Sequence, residues 1–151
     1  MTGDPSALTD HLGFWLRQVS NHVSHAFARK VEASGVTVAE WVVMRDLFDQ
    51  KAAAPSRLAE RLGMTRGAIT KLADRLIEKS LLSRRPDPDD ARAQILALTS
   101  KGRRLVPELA ALADRNDAEF FDHLSGADRA LLLQLLKDIV RRRGLTAAPI
   151  D

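Results

Sequence analysis

The sequence predicts an α+β fold, mostly α-helical with one small β-hairpin wing: a winged helix-turn-helix flanked by long helices. Three observations predict it. Apolar residues recur at three- and four-residue steps over most of the 151 residues, which is the period of amphipathic helices. Between residues 81 and 98 that period gives way to short extended runs around a turn rich in proline and aspartate. Eight basic and three acidic residues lie between residues 55 and 85.

Four helices are predicted before the hairpin, each bounded by residues that favour helix ends. The first carries apolar residues from Leu8 to Val31 at helical spacing. Proline, threonine and glycine stand at the remaining predicted starts and stops. These are Gly35 after the first helix, Thr37 before the second, Pro55 and Gly63 at the two ends of the third, and Thr65 before the fourth.

A hairpin and two further helices follow. Residues 81–85 and 94–98 are predicted strands. Residues 86–90 form a predicted loop longer than a tight two-residue turn, which therefore projects. Hydroxyl residues that favour helix caps predict the last two helix starts, at Thr99 or Ser100 and at Ser125. The two ends, residues 1–6 and 146–151, are expected to be frayed.

Composition excludes several functions. The chain has no cysteine, which excludes disulfides, thiolate metal sites and thiol-based catalysis or redox sensing. No Ser/His/Asp set, carboxylate pair or glycine-rich phosphate loop stands at a meaningful spacing, so an enzyme is not predicted, nor is a cofactor. No apolar run approaches the length of a membrane span, and the start lacks a secretory pattern. The cytoplasm is therefore the expected compartment.

The charge is small in total but unevenly distributed. The net charge is +3, whereas residues 55–85 carry a net charge of +5 and residues 106–128 a net charge of −5. A local basic excess is typical of a phosphate-binding surface. A solvated helix face is the alternative interpretation of the same block.

Residues 55–76 have the spacing of a helix-turn-helix. The small Ala59 allows two helices to cross closely, and Gly63 lets the chain leave the right-handed helical region in the turn. The apolar residues that would close the crossing are Leu58, Leu62, Ile69 and Leu72. An ordinary hairpin of two helices is the alternative, but it does not account for the basic residues of this block.

The second helix of this pair is predicted to enter the major groove of DNA. Arg66 could contact a guanine through two hydrogen bonds. Lys71 and Arg75 are expected at phosphates, which set affinity and register without reading sequence. Ser56 begins the first helix of the pair, where its hydroxyl and backbone N–H groups could meet a phosphate. The candidate contacts of the pair are Ser56, Arg66, Gly67, Thr70, Lys71 and Arg75.

The hairpin that follows has the character of a wing. Arg84 lies on its first strand, and Arg92 is predicted at or near its tip, where a cation can enter a narrow minor groove. Asp90 is placed to pair with Arg92 and fix its direction. A solvated loop whose charges have no role is the alternative interpretation.

These residues resemble the MarR family of bacterial transcriptional regulators. The resemblance rests on the segments LAERLGMTRGAITKLADRL and RRPDPDDARAQILALTSKG and spans roughly residues 8–143. It implies a homodimer joined by the first, fifth and sixth helices, bound to a pseudo-palindromic operator in double-stranded DNA. It also implies repression that a small phenolic or aromatic anion releases.

The residues themselves also favour a dimer. The stretch from Leu131 to Leu136 is apolar on too many sides for the exposed helix of a monomer. A fully buried core helix in a monomer is the alternative. We predict a winged helix-turn-helix lobe at residues 37–98 and a helical dimerisation region at residues 7–34 and 99–144 of one compact chain.

The resemblance further implies an effector pocket between the dimer helices and the DNA-binding lobe. Its candidate lining is Trp15, Gln18, His22, Trp41, Met44 and Arg45. Two tryptophans and an arginine would suit an aromatic carboxylate, although both tryptophans could equally be core residues. Three alternatives stay open: an effector-independent regulator, an architectural DNA-binding protein, and a metal-responsive regulator that uses His22, His25, His11 and His123. No metal site is assigned.

Overall fold

The computed structural model describes residues 3–150. Within that range it holds six α-helices and one antiparallel hairpin, which confirms the predicted fold class. The elements are α1 (Leu12–Glu32), α2 (Val38–Phe48), α3 (Pro55–Leu62), α4 (Arg66–Glu78), β1 (Leu82–Asp87), β2 (Asp90–Leu98), α5 (Ser100–Phe121) and α6 (Gly126–Arg143). The frayed ends predicted for residues 1, 2 and 151 lie outside the described residues.

The predicted helix caps are confirmed, because hydroxyl oxygens accept the otherwise unpaired backbone N–H groups of the first turns. The cap residues are Thr37 for α2, Thr65 for α4, Thr99 for α5 and Ser125 for α6. At the end of α3, Gly63 has φ +62° and ψ +32°. That left-handed conformation is open to glycine at little steric cost.

The predicted first helix is divided in the structure. Leu8–Asp10 is a separate 3-10 turn, and His11 is extended with φ −95° and ψ +126°. The continuous helix begins only at Leu12. Apolar spacing alone did not reveal this break, because Leu8 and Leu12 keep a helical interval across it.

The wing is longer and more tightly turned than predicted. Asp87 pairs with Asp90, so only two residues form the turn, and the predicted five-residue loop is wrong. Three extra residues bulge out of β2 between Asp90 and Gln94, where the register shifts. Ala53 exchanges two backbone hydrogen bonds with Leu96, at 2.9 and 2.8 Å, and thereby anchors the hairpin to the segment before α3.

The core lies mainly between α2, α3, α4 and the hairpin. Its fully buried members come from these elements, from the end of α1 and from the first half of α5, and include Val31, Met44, Leu58, Ile69, Leu96 and Leu109. The hairpin and the helix-turn-helix therefore share one hydrophobic cluster, which fixes their relative position.

Two polar side chains are buried with this core and have hydrogen-bond partners. Glu40 is fully buried. Asn116 of α5 donates to the carbonyl of Val23 at 3.1 Å and accepts from Lys30 at 2.9 Å, both on α1. Asn116 thus joins the two long helices by directed contacts in addition to apolar packing.

The first half of α1 and all of α6 leave their apolar side chains exposed. No residue of α6 is buried, so a fully buried core helix in a monomer is wrong. Leu131 is 55% exposed and Trp15 50%. The other exposed apolar residues of these two helices are Leu12, Phe14, Leu16, Val19, Leu132, Leu133, Leu135, Leu136, Ile139 and Val140.

Candidate nucleic-acid interface

The two helices of the predicted helix-turn-helix cross on buried side chains. Leu58 and Ala59 of α3 are buried against Ile69 and Leu72 of α4. The left-handed Gly63 and the cap residue Thr65 make the turn between them. The segment therefore folds as its spacing predicts, and the remaining face of α4 is left to solvent.

That solvent face begins with Arg66, the first residue of α4, and continues through Gly67 and Lys71, all exposed. A Cβ built on Gly67 would meet no atom within 4 Å, so this part of the surface is open. The Thr70 hydroxyl donates to the Arg66 carbonyl at 2.9 Å, which leaves its oxygen able to accept. A basic start and a bare glycine suit close approach to a groove edge.

Arg75 lies apart from the other predicted contacts of α4. Its side chain contributes to the wall of a cleft formed with His25 of α1, Trp41 of α2 and the C-terminal residues of the chain. A phosphate contact from Arg75 would therefore come from the flank of the lobe rather than from its centre. Ser56, in contrast, is exposed in the first turn of α3, as predicted.

The wing is linked to α4 by an ion pair. Arg84 of β1 donates to Asp74 of α4 at 2.8 Å. The guanidinium predicted to meet DNA is therefore held by a carboxylate of α4, the predicted recognition helix, and this pair joins the wing to α4. Helical spacing places Asp74 on the outward face of α4 but does not predict its pairing with Arg84, because a lone acidic residue on a basic face gives no signal of its partner.

Arg92 lies in the bulge of β2, not in the turn itself. Asp90 accepts a hydrogen bond from the backbone N–H of Arg92 at 3.0 Å, so the predicted pairing of their side chains is replaced by a side chain-to-backbone bond. That bond shapes the bulge. The Arg92 side chain is exposed, as a minor-groove contact requires.

The six predicted effector residues do not surround one pocket. Trp15, Gln18 and His22 line a cleft of about 670 Å³ between α1 and the α5–α6 turn. Trp41 lines a second cleft of about 730 Å³ between α1, α2 and α5. Met44 is fully buried in the core, and Arg45 pairs with Asp49 at 2.9 Å. In the single chain the predicted set is therefore divided among two clefts, the core and an exposed ion pair.

The second cleft combines aromatic and polar walls. Phe27 and Trp41 meet edge to face with ring centroids 6.4 Å apart, and Asn116, Thr37 and Arg75 supply polar groups. Helical spacing places Asn116 on the inner, apolar stripe of α5 but does not predict its place in this wall. An amide within an otherwise apolar stripe is the one signal that pointed there.

The histidines are not gathered into a metal site. Among residues 3–150, no three His, Cys, Asp or Glu side chains lie close enough together to hold a metal ion. His22 lines the first cleft and His25 the second, so the three-residue spacing turns them to different surroundings.

Taken together, the crossing helices, the basic solvent face of α4 and the paired wing define a winged helix-turn-helix DNA-binding protein. Residues 36–93 match the model of the MarR family. These residues form a MarR-type winged helix-turn-helix, and the chain is a DNA-binding transcriptional regulator. No helix within residues 3–150 is long and apolar enough to cross a membrane.

Known proteins resemble the chain over nearly its whole length. A protein of Thauera aromatica described as a transcriptional regulatory protein for the hcr operon is 29% identical over 145 residues, 95% of this chain and 87% of the relative. Bordetella bronchiseptica BpsR, solved in work on regulation of its DNA binding by 6-hydroxynicotinic acid, is 26% identical with a TM-score of 0.78, covering 90% of this chain and 97% of BpsR. Rhodococcus jostii CouR, solved with p-coumaroyl-CoA, is 27% identical with a TM-score of 0.77, covering 89% and 95%.

Proposed function

We propose that the chain is a homodimeric repressor that binds a pseudo-palindromic operator and is released from it by a small aromatic or phenolic ligand. It acts by binding and not by catalysis. The observation that carries the proposal is the presence, in one chain, of an exposed basic recognition surface and a second, exposed apolar surface. The first suits DNA, and the second suits another copy of the same chain.

The dimer proposal is supported by the exposed apolar face of α1 and α6. Monomeric proteins rarely expose an apolar surface of this extent. A single helix-turn-helix also buries little surface on DNA, whereas two copies one helical turn apart add their contacts. Residues 37–98 would then form the DNA-binding lobe, and residues 7–34 with 99–144 the region that joins the two copies.

A charge placed in the apolar face tests the dimer. Leu136 borders two apolar clefts on α6 and is 40% exposed. Leu136→Glu should convert the dimer to monomers in sedimentation velocity, because an unpaired carboxylate buried in an interface is costly. Gln134→Glu adds the same charge to the same helix at a polar position and should leave the dimer intact. A dimeric Leu136→Glu variant would contradict this arrangement of the interface.

Specific DNA binding is tested by a mobility-shift titration on DNA flanking the gene of this protein, with scrambled DNA as competitor. Specific regulators prefer their site over other DNA by at least about a thousandfold. The same affinity for both DNAs would instead favour an architectural protein. A shift that responds to zinc and is lost with a chelator would favour the metal-responsive alternative.

The effector proposal rests on the α1–α2–α5 cleft, where two aromatic rings stand near an arginine and an amide. An aromatic acid could stack on the rings and pair with the cation. The ligands named with BpsR and CouR, 6-hydroxynicotinic acid and p-coumaroyl-CoA, are suitable first probes. A real ligand raises the Tm by mass action.

Two tryptophan variants separate the two clefts. Trp41→Ala should abolish the Tm shift if the ligand binds between α1, α2 and α5. Trp15→Ala should preserve it, because Trp15 lines the other cleft. The reverse result would place the ligand in the cleft beside α6, and a lack of any Tm shift across a panel of aromatic acids would favour an effector-independent regulator.

A further inference from the structure

The C-terminal segment, expected to be frayed, docks on the DNA-binding lobe. After α6 ends at Arg143, with Gly144 as its cap residue, the chain turns back, and the backbone N–H of Ala148 donates to the carbonyl of Leu62 at 2.9 Å. Leu62 is the last residue of α3, and carbonyls at this end of a helix lack a partner within the helix. The segment therefore completes the hydrogen bonding of the first helix of the helix-turn-helix.

Gly63 provides the surface on which this segment lies. A Cβ at Gly63 would lie 2.7 Å from the Cα of Ala147 and 2.8 Å from the carbonyl oxygen of Thr146. Both neighbours are backbone atoms, which cannot move aside as the end of a flexible side chain can. The absence of a side chain at Gly63 thus serves the turn of the helix-turn-helix and the approach of the segment at the same time.

The same segment forms one wall of the α1–α2–α5 cleft. Ala148, Pro149 and Ile150 line it together with Trp41 and Arg75. Ala148 and Ile150 are half-buried. One short segment therefore touches the turn of the helix-turn-helix and covers part of the cleft.

We propose that residues 146–150 form a strap that covers the α1–α2–α5 cleft and braces the turn of the helix-turn-helix. A ligand that enters the cleft past the strap displaces it and thereby releases the brace on Leu62 and Gly63. The regulatory half of this proposal rests on the effector binding proposed above. The docking of the strap does not.

The contacts of the strap are weak enough for it to dock reversibly. They comprise one neutral backbone hydrogen bond and a few small apolar side chains, each of which contributes modestly. A ligand shifts such an equilibrium when it binds the open state better than the closed one. The direct connection between cleft and turn distinguishes the strap from a simple cover.

A double-substitution cycle on the full-length protein tests the docking without DNA or ligand. Gly63→Ala introduces both the strain of a left-handed alanine and a collision with the strap. Ala148→Pro removes the N–H that holds the strap. The Tm loss caused by Gly63→Ala should therefore be larger with alanine at position 148 than with proline. Equal losses would overturn the docking.

Gly35→Ala is the matched control for this cycle. Gly35 also has a positive φ, +86°, but a Cβ there meets nothing within 4 Å. Its Tm loss should be the same with either residue at position 148. A change equal to that seen for Gly63→Ala would overturn the proposal, because the coupling would then not be specific to the strap contact.

Acrylamide quenching of Trp41 fluorescence, measured in the Trp15→Phe background, tests the covering of the cleft. Ala148→Pro should raise the quenching constant of Trp41, because the quencher gains access when the strap leaves. An unchanged constant would overturn the covering role. These results are separable from the proposed function because both are measured without DNA. A protein that binds no operator can still show the cycle, and a protein in which the cycle fails can still bind an operator.

Discussion

The Lys79 ammonium lies 2.8 Å from Oε1 and 2.9 Å from Oε2 of Glu40 and also donates to the carbonyl of Gly35 at 2.9 Å. Glu40 is fully buried, whereas the Lys79 side chain is 39% exposed. The end of the recognition helix is thus tied to the start of α2. Because α2 packs on the long α5, this ion pair fixes α4 relative to the rest of the chain.

Glu40 should make the free energy of unfolding depend on pH in the acidic range. Burial by itself raises the pKa of Glu40, but hydrogen bonds from Lys79 and from the backbone and side chain of Thr37 outweigh it and lower the pKa below its ordinary value. A lowered carboxyl pKa stabilises the fold above the unfolded pKa of about 4.3. That stabilisation is lost as the pH falls through the lower, folded pKa.

We expect Glu40→Gln to reduce the free energy of unfolding at pH 7 by about 1.5–3 kcal/mol, the usual size of a hydrogen bond to a charged group. The loss should shrink as the pH falls below the unfolded carboxyl pKa of about 4.3, and it should be smallest once the folded carboxyl, whose pKa is lower, is protonated as well. Urea unfolding at pH 7 and through this acidic range measures it. Glu119→Gln removes an exposed partner of Lys30 and should cost at most about 1 kcal/mol. Equal effects of the two variants would contradict the special role of Glu40.

Gly102 should not tolerate a side chain. It lies in the first turn of α5, and a Cβ there would collide with the carbonyl oxygen of Leu81. Thr99 and Leu81 hold this junction through a backbone hydrogen bond of 3.1 Å. Gly102→Ala should therefore lower the free energy of unfolding by about 1–3 kcal/mol or more, as overpacked cores do. Thermal unfolding measures this loss.

Gly67→Ala is the matched control, because it is also a helical glycine and a Cβ there meets nothing within 4 Å. Alanine should leave stability unchanged or raise it by up to about 1 kcal/mol through helix propensity. Any loss of DNA affinity in Gly67→Ala would then report contact with DNA. If Gly102→Ala is as stable as Gly67→Ala, the close packing of α5 on Leu81 is wrong.

The sequence predicts features that neighbouring residues determine better than features that depend on contacts between distant parts of the chain. Thr37, Thr65 and the left-handed Gly63 act within a few residues of the chain, so sequence spacing sufficed to place them. The division of the effector residues between two clefts depends on how α1 and α5 rotate against each other. No local pattern encodes that rotation.

The shape of the wing and the docking of the strap also depend on contacts between distant residues, which the sequence did not predict. The bulge around Arg92 depends on which residues of β1 and β2 pair, and the proline- and aspartate-rich stretch was equally compatible with an open loop. The docking of residues 146–150 uses a backbone N–H and the space over a glycine. Neither leaves a side-chain signature in the sequence.

The ion pair between Asp74 and Arg84 should restrain DNA affinity. Asp74 is 60% exposed on the recognition helix, where a carboxylate repels phosphate and also holds the arginine. Asp74→Asn should strengthen operator binding and increase the salt dependence of the DNA affinity by the amount expected for roughly one additional phosphate contact. The free energy of unfolding should change by less than about 1 kcal/mol. Fluorescence anisotropy across a salt series measures both quantities.

Asp49→Asn removes the same charge from another exposed pair, with Arg45, and should leave the salt dependence unchanged. Weaker operator binding by Asp74→Asn would reverse the interpretation. The pair would then act by holding Arg84 and the wing in their binding position, and its loss would outweigh the removal of repulsion.

Arg66 and Arg92 should contribute to operator binding in different ways. Arg66 is the first residue of α4, the predicted recognition helix, and is exposed. Arg66→Ala should cost about 1–3 kcal/mol at one base pair and relax the preference there. Arg92 lies in the wing bulge, so Arg92→Ala should weaken binding to many sequences almost uniformly and reduce the salt slope by about one.

A competition assay with single-base variants of the operator separates these two roles. Arg115→Ala removes the same charge from an exposed position in the acidic half of α5 and should leave both the affinity and the salt slope unchanged, because screening is strong beyond about 10 Å at ordinary salt. A sequence-dependent loss in Arg92→Ala would mean that the wing reads bases directly. A uniform loss in Arg66→Ala would mean that the helix start contacts only phosphate.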